Sequence, residues 1–294
     1  MRVFTRIVET GSFSEAARRM HMTASAVGKM VGRIETRLAV RLIERSTRRL
    51  SLTDAGQVYY DRCLQILQEM DDLDNSIATG GTEISGTIRI SASVGFGIYE
   101  LEPLLSAFWN LHPKVTIDLS LSDEVVDLYL ERTDLAFRVG TLAVSNLVAI
   151  KLGRSPRIIV ASPDYLARHG TPQAISELDS HNCLGFNFKR SVASWPLEED
   201  GRPTDRTVSG NFLANSGEAV RRMAVRGAGL GRIGLFHAKD DLAAGRLVHV
   251  LQDATPGQFE EVYAVHTGGP SMAPRLRAFL DFIVPRLRAS LAAE

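Results

Sequence analysis

The fold is decided by Ser12-Phe-Ser-Glu15-Ala-Ala-Arg-Arg-Met-His-Met-Thr23-Ala-Ser-Ala-Val27, which predicts two short helices joined by a tight turn. Ser12 and Glu15 fit a capping box, because a serine hydroxyl and a glutamate carboxylate at this spacing satisfy free amide groups at a helix start. Thr23 fits the N-cap of the second helix, which we expect from Ala24 to about Leu38. Helix, turn and helix in this order predict a helix-turn-helix module.

The second helix has one apolar face and one small, cationic face. Val27, Val31, Ile34 and Leu38 recur every three or four residues, which predicts a single buried stripe. A small, cationic outer face behind a compact helical partner suits the major groove of DNA. The candidate DNA-contacting residues on this helix are Thr23, Ala24, Ser25, Gly28, Lys29 and Arg33.

Two glycines belong to the outer face. Gly28 and Gly32 each cost a helix about 1 kcal/mol relative to alanine. Two explanations stay open: the glycines permit close packing within the chain, or they let the backbone approach DNA closely. Either way, few side chains on this face can read bases directly. We therefore expect DNA shape to contribute, with Arg48 or Arg49 of the following hairpin entering a narrow minor groove.

Charge is segregated along the chain. Residues 1–53 contain 11 Lys and Arg against 4 Asp and Glu, a net charge of +7. Because the whole chain has a formal net charge of zero, the remaining residues carry −7. Basic charge at one end attracts phosphates, while the acidic remainder stays off nucleic acid.

The first 56 residues also resemble a known family. Phe4–Met20, Thr23–Val27 and Arg41–Gly56 are similar, densely and in order, to the winged helix-turn-helix of LysR-type transcriptional regulators, and the similarity continues through the chain. The resemblance implies an all-α winged helix-turn-helix with a long linker helix, then a two-subdomain α/β effector domain like that of periplasmic binding proteins. The chain departs from the family at Ala24 and Gly28, near which relatives usually have glutamine and serine.

The resemblance implies a function as well as a fold. It indicates a sequence-specific DNA-binding transcriptional regulator controlled by a small-molecule effector. The implied partners are double-stranded DNA, a small anionic metabolite, and further copies of the chain in a homodimer or homotetramer. The rival hypothesis is a solute-binding or ligand-sensing protein whose N-terminal module contacts other proteins. The basic N-terminal charge and the arginine-rich hairpin argue against that rival.

The domain boundaries follow from changes in pattern. We expect the DNA-binding domain at 1–56, a linker helix for dimerisation at 57–78, a hinge at 79–86 and the effector domain at 87–294. Apolar residues recur along the linker every three or four positions, close to the coiled-coil repeat: Tyr60, Leu64, Leu67, Met70, Leu73 and Ile77. Such a stripe needs a partner, which is a second copy or, alternatively, the helix's own domain.

Beyond residue 86 strands alternate with helices, which predicts parallel sheets covered by helices. The family resemblance divides this domain into subdomain I, residues 87–161 and 266–294, and subdomain II, residues 162–265, with crossings near Ser162 and His266. The predicted strands are 87–93, 115–121, 135–139, 147–152, 157–161, 183–188, 207–212, 229–235 and 262–265, and the predicted helices are 94–109, 124–132, 218–226 and 274–289.

Candidate effector-binding residues lie at two predicted strand-to-helix turns. Ligands of open α/β sheets bind at the carboxyl ends of strands, where free amide groups suit anions. One such turn lies in each subdomain, and two arginines at or near strand ends are candidate cations. The candidate effector-binding residues are Ser91, Ala92, Ser93, Arg138, Asn215, Ser216 and Arg232.

Other classes of protein are less well supported. Gly229–Gly234 matches GxGxxG, but a helix precedes it, so we expect its glycines to form a helix-to-strand turn and not a dinucleotide site. No hydrolase or metal-ligand spacing occurs, so we expect no enzyme, metal or cofactor. Cys63 and Cys183 are expected to be packed thiols with no redox role. Without a signal peptide or apolar span, the protein is expected to be soluble and cytoplasmic.

Overall fold

The computed structural model describes residues 1–45, 50–78, 84–123, 133–142, 147–187, 194–266 and 272–293, apart from the side chains of residues 45, 65, 68, 69 and 71–78. The chain divides into two compact units, the first ending at Ser85 and the second beginning at Gly86. Arg48, Arg49, residues 79–83 of the predicted hinge and the predicted helix 124–132 lie outside the described residues. No helix in the described ranges is both long and apolar enough to cross a membrane.

The first unit is a helix-turn-helix with a short antiparallel strand pair and a long helix. In β1 and β2, Ile43 pairs with Leu52 and Arg45 with Leu50. The elements are α1 (Arg2–Thr10), α2 (Phe13–Arg19), α3 (Ala24–Leu38), β1 (Ile43–Arg45), β2 (Leu50–Leu52) and α4 (Asp54–Ala78).

Hydroxyl side chains start these helices where the sequence predicts. The Ser12 and Thr23 hydroxyls accept hydrogen bonds from the amides of Glu15 (3.3 Å) and Ala26 (3.2 Å). The second half of the predicted capping box is wrong. The Glu15 carboxylate does not reach back to the helix start, because it accepts hydrogen bonds from Arg18 and Arg19 on the next turn.

The core of the first unit fixes the rotation of α3. Val27 and Val31 are buried, as the stripe predicts, but Leu38 is 40% exposed, so its predicted burial is wrong. The inward position one turn earlier is taken by Glu35, whose carboxylate accepts hydrogen bonds from the amides of Leu42 (2.8 Å) and Ile43 (3.1 Å). The largest side chains of this core are Phe4, Ile7, Leu42, Ile43 and Tyr60.

The position of Tyr60 corrects part of the predicted dimerisation stripe. Tyr60 is only 5% exposed, and its ring lies 6.4 Å from that of Phe4 in the core of its own domain. Leu64 packs against the same core. These two positions therefore follow the alternative of packing on the helix's own domain. Leu67 is half-buried and Met70 is 47% exposed, while the side chains of Leu73 and Ile77 lie outside the described set.

The second unit is an α/β domain built on one long sheet. Its strands run in the order β10-β7-β11-β6-β13-β5-β3-β4, with β12 also paired to β6. The strands are β3 (Gly86–Ala92), β4 (Val115–Leu121), β5 (Leu135–Val139), β6 (Val148–Ala161), β7 (Cys183–Phe186), β8 (Ser194–Glu199), β9 (Arg202–Thr207), β10 (Leu213–Ala214), β11 (Leu230–Gly234), β12 (Val248–Val250) and β13 (Phe259–His266).

Helices cover the sheet. Two of them, α5 and α6, are joined without a break by a π-helical segment, Gly97–Leu101. The α-helices are α5 (Val94–Phe96), α6 (Glu102–Leu111), α7 (Pro163–His169), α8 (Gly217–Val225), α9 (Leu235–Ala243) and α10 (Pro274–Ala292), and short 3-10 turns cover Ile175–Ser180 and Gln252–Ala254.

Strand β6 belongs to both halves of this domain. Its residues 148–156 pair with β13, and its residues 157–161 pair with β11 and β12. The predicted break between two strands is therefore wrong. Pro156 lies opposite Phe259, where the pairing partner changes, and a residue without an N–H group is tolerated there. The crossings lie near Arg157 and Phe259, not near Ser162 and His266.

We therefore define the subdomains by this pairing: subdomain I is residues 86–156 and 259–293, and subdomain II is residues 157–258. The predicted strand 207–212 is also wrong, because β9 ends at Thr207 as the second strand of a hairpin with β8. The glycines of the GxGxxG stretch mostly lie inside β11, where a Cβ on Gly231 would meet Val220 at 2.9 Å. Helix α9 follows β11 directly, and the sequence pattern missed it.

Candidate functional site

The outer face of α3 is open to solvent. Thr23, Ala24, Ser25, Lys29 and Arg33 are all exposed. The last three recur every fourth residue and therefore lie along one side of the helix. The α3 residues predicted to contact DNA thus share one accessible face.

Gly28 and Gly32 lie between these exposed side chains. A Cβ built on either glycine would meet no described atom within 4 Å. Of the two explanations left open by the sequence, close packing within the described part of the chain is therefore excluded. Each glycine lowers helix stability by about 1 kcal/mol, and no contact with the described residues explains why glycine is present.

The cations of this face are unpaired, whereas several acids nearby are already engaged. Lys29 and Arg33 make no hydrogen bond or ion pair with the rest of the described chain. Glu9 pairs with Arg6 (3.0 Å), and Glu15 pairs with arginines of its own helix. The positive charges of Lys29 and Arg33 are therefore available to pair with a binding partner.

One carboxylate joins the two subdomains of the second unit. Asp123 Oδ1 accepts a hydrogen bond from the amide of Val94 (2.8 Å), and its Oδ2 accepts one from the amide of Gly217 (3.2 Å). These amides open α5 in subdomain I and α8 in subdomain II. The N-cap residues Ser93 and Ser216 make no side-chain capping bond. Asp123 caps both helices in their place.

This geometry corrects the predicted anion site at the two turns. Two of the amides expected to be free are bonded to the chain's own carboxylate. Ser93 keeps a buried hydroxyl oxygen with no hydrogen-bond partner in the described structure. Ala92 is buried, and Asn215 is exposed.

Ser91 and Arg138 contact each other. Ser91 is 1% exposed, and its hydroxyl accepts a hydrogen bond from the Arg138 guanidinium (3.1 Å). The pair links residues of the neighbouring strands β3 and β5. The structure thus brings together two of the candidate effector-binding residues, while an effector contact by either residue stays a proposal.

His237 lies against the first turns of α5 and α8, the two helices that Asp123 caps. A Cβ on Gly95 would lie 2.0 Å from its Nε2, and one on Gly217 would lie 2.7 Å away, so both positions require glycine. Both ring nitrogens are buried, with no hydrogen-bond partner at bonding distance among the described residues. Burial lowers the pKa of His237 to about 4, although the nearby Glu218 carboxylate acts in the opposite direction.

The π-helical segment supplies further polar links between the subdomains. Tyr99 donates a hydrogen bond to Glu218 (2.9 Å), which also pairs with Arg221 (2.9 Å). Burial acts to raise the pKa of Glu218, but the bonds from Arg221 and Tyr99 outweigh it and the net shift is downward. Glu100, which is 3% exposed, pairs with Lys239 of subdomain II. Segments of π-helix often occur at functional sites.

Arg232 is a buried guanidinium that makes no ion pair with the described residues. It is 5% exposed, and no described carboxylate lies within ion-pairing distance of it. Its Nε is buried with no hydrogen-bond partner in the described chain. Burial and the neighbouring Arg157 lower the pKa of Arg232 to about 10, although the Glu260 carboxylate acts in the opposite direction. Arg157 itself pairs with Glu260 (3.1 Å).

Sequence reasoning found Arg232 but missed Asp123, His237 and Arg157. Asp123 had a usable signal, because Ser122-Asp123 follows β4 as Ser93 follows β3, at the carboxyl end of a strand. His237 had no such signal, because the first residues of helix α9 continue the apolar run of β11 and do not show a separate helical pattern. No group of His, Cys, Asp and Glu residues in the described ranges has the geometry of a metal site.

Comparison with protein families covers both units. The N-terminal helix-turn-helix model of the bacterial lysR family matches residues 1–57, and the LysR substrate-binding domain model matches residues 81–288. The chain is a LysR-type transcriptional regulator. The predicted family, fold class and general function are thereby confirmed: this LysR regulator has a helix-turn-helix DNA-binding domain and a two-subdomain α/β effector-binding domain.

Individual relatives agree. The transcriptional regulator CrgA of Neisseria meningitidis is 37% identical over 290 residues, which are 98% of this chain and 96% of CrgA. The solved structure of the meningococcal CrgA has a TM-score of 0.66 at 35% identity and covers 97% of both chains. ArgP of Mycobacterium tuberculosis has a TM-score of 0.70 at 19% identity, over 97% of this chain and 95% of ArgP, which supports the fold alone.

His237 predicts a pH dependence of stability. Its pKa is about 4 in the folded regulator and 6.5 in the reference state, so the unfolded chain binds more protons between these values. The contribution of neutral His237 is therefore complete above pH 6.5 and is lost as pH falls toward 4. We expect His237→Asn to reduce the difference in urea midpoint between pH 7 and pH 5 relative to wild type. An unchanged difference would contradict burial of a neutral imidazole.

Proposed function

We propose that this regulator reads its operator with the exposed face of α3, and that the wing, the arginine-rich segment after α3, contacts the adjacent minor groove. The residues proposed to contact DNA are Thr23, Ala24, Ser25, Gly28, Lys29 and Arg33 on α3 and Arg48 and Arg49 in the wing. The observation that carries this proposal is the open space around Gly28 and Gly32. Glycine at these positions lowers helix stability and is not required by any described neighbour. A helix face that is small, cationic and unpaired fits close approach to a phosphate-lined groove.

Substitution of Gly28 separates stability from DNA binding. Gly28→Ala adds a methyl group into open space, so the free energy of unfolding should rise by up to about 1 kcal/mol. The same methyl group should lower operator affinity if the backbone approaches DNA there. Urea unfolding and gel shifts with the chain's own upstream intergenic DNA measure the two effects. Affinity equal to or above that of wild type would contradict close approach at Gly28.

Two lysine variants test whether Lys29 contacts a DNA phosphate. Lys29→Ala should reduce the slope of log affinity against log salt by about 1, because one phosphate contact is lost. Lys114→Ala removes an exposed lysine of the other unit and should leave the slope unchanged. Equal slopes for the two variants would contradict a phosphate contact by Lys29.

We further propose that α4 pairs with a second copy through Leu67, Met70, Leu73 and Ile77, giving a homodimer that can assemble further. The exposed Met70 side chain supports a contact outside the chain's own core. Leu67→Asp places a charge in this seam without a partner and should shift the sedimentation coefficient toward the monomer. An unaltered sedimentation coefficient would place the seam elsewhere.

For the effector, we propose a small anionic metabolite whose charge pairs with Arg232. A buried cation without a counter-charge is costly, and an anion bound beside it removes that cost. Arg157 stands next to it but is already paired with Glu260. Ser91, Ser93, Arg138, Asn215 and Ser216 remain the polar groups from which the rest of the effector contacts are expected.

The two arginines should respond oppositely to the loss of charge. Arg232→Gln removes a buried charge that has no ion-pair partner in the described chain and should raise the free energy of unfolding of the unliganded protein by up to about 3 kcal/mol, the amount that corresponds to its lowered pKa. Arg157→Gln leaves Glu260 unpaired and should lower it by about 1–3 kcal/mol. Urea unfolding in chloride buffer measures both. Destabilisation by Arg232→Gln would mean that Arg232 is already paired and would contradict the anion site.

Thermal shift with a panel of small mono- and dicarboxylates then completes the test. At least one anion should stabilise wild type and leave Arg232→Gln unaffected. Equal stabilisation of both proteins would show that Arg232 does not bind the anion.

A further inference from the structure

The Asp123 contacts define a position that is shaped for a carboxylate. Two amide groups from two subdomains converge on one carboxylate, one on each oxygen (2.8 and 3.2 Å). The amides of Val94 and Gly217 belong to separate helical runs, Val94–Leu111 and Gly217–Val225, which carry partial positive charge at their starts. This bridging arrangement differs from an ordinary N-cap, because the acceptor comes from neither helix.

A second feature points to the same place. The His237 ring lies against Gly217 and Gly95, the neighbour of Val94, and its two nitrogens are buried and unpartnered in the described chain. The Ser93 hydroxyl, one residue before Val94, is buried and unpartnered as well. Polar groups of this kind are normally satisfied, so three hydrogen-bonding atoms without a partner in the described chain distinguish this place from an ordinary helix start.

We propose that Asp123 is an internal ligand: it fills a carboxylate site shared by the two subdomains and holds them together as an effector carboxylate would. Its significance for regulation rests on the effector response proposed above. A carboxylate from solution competes for the same two amides, and an effector that binds there separates Asp123 from at least one subdomain. The class of ligand that this position accepts is a small carboxylate.

Size-matched chemical rescue tests the proposal on the full-length protein. Asp123→Ala removes only the carboxylate and leaves a space matched by formate. We expect its melting temperature to fall by about 6–24 °C, because two charge-assisted hydrogen bonds are lost in a domain of this size. Sodium formate should restore it with saturation, whereas sodium chloride at equal ionic strength should not. Wild type and Asp118→Ala, which removes an exposed carboxylate of β4, should show no formate-specific stabilisation.

Amide hydrogen exchange places the effect at the two helix starts. Peptides that contain Val94 and Gly217 should lose protection in Asp123→Ala and regain it in formate, while peptides of β11 should not change. Formate that stabilises Asp123→Ala no more than wild type, or that leaves both peptides unprotected, would overturn the proposal.

If Asp123→Ala does not fold, Asp123→Asn decides the question. Asparagine can accept only through one oxygen, so we expect a smaller fall in melting temperature and no rescue, because the side chain still fills the space. A melting temperature equal to that of wild type would contradict the need for a carboxylate. None of these readouts uses DNA, so a failure of the proposed operator contacts would leave them unchanged.

Discussion

The burial of Val27 and Val31 is the constraint on which the function of the first unit depends. These two side chains, packed with Phe4 and Leu42, fix how α3 is rotated about its axis. Because successive residues of a helix are about 100° apart, burying this stripe leaves one face outside. Glycines, a hydroxyl and two unpaired cations lie on that face. The apolar core thus determines which surface of α3 is left exposed.

The second unit is organised by a strand that both subdomains share. Strand β6 gives its first part to the sheet of subdomain I and its last part to that of subdomain II. Charged groups then join the helical layers across the junction, as Asp123 does at two helix starts and as Glu100 does with Lys239. In contrast, the buried Arg232 guanidinium makes no ion pair with the described residues. An uncompensated buried charge is where a charged effector has most effect on the folded state.

Sequence patterns predicted the elements that have strong local signals. The hydroxyls of Ser12 and Thr23, the register of α3 and the full length of α4 were found because caps and apolar periodicity are local properties. Where the pattern failed, tertiary context decided. Leu38 lies beyond the edge of its core and is exposed, and β6 continues past Pro156 because its pairing partner changes there.

The candidate sites also divide into residues that local sequence patterns identify and contacts that only the folded chain shows. The exposed α3 face followed from spacing alone, whereas the role of Asp123 as acceptor for the amides of both Val94 and Gly217, which are distant in the sequence, is seen only in the folded structure. Likewise, the sequence identifies Arg232 as a cation but does not reveal that it makes no ion pair with the described residues. Contacts between distant residues, and the lack of them, require the folded structure.

Affinity cleavage is the most direct test of the central claim that the outer face of α3 meets DNA. Both native cysteines are buried, so Ser25→Cys supplies an accessible thiol for an iron chelate, with Leu111→Cys as the exposed control in the second unit. The account predicts that the chelate at residue 25 cuts operator DNA at a few base pairs within each half-site, with the strand offset of major-groove cleavage, while the chelate at residue 111 does not. Diffuse cleavage from residue 25, or cleavage no greater than from residue 111, would contradict it.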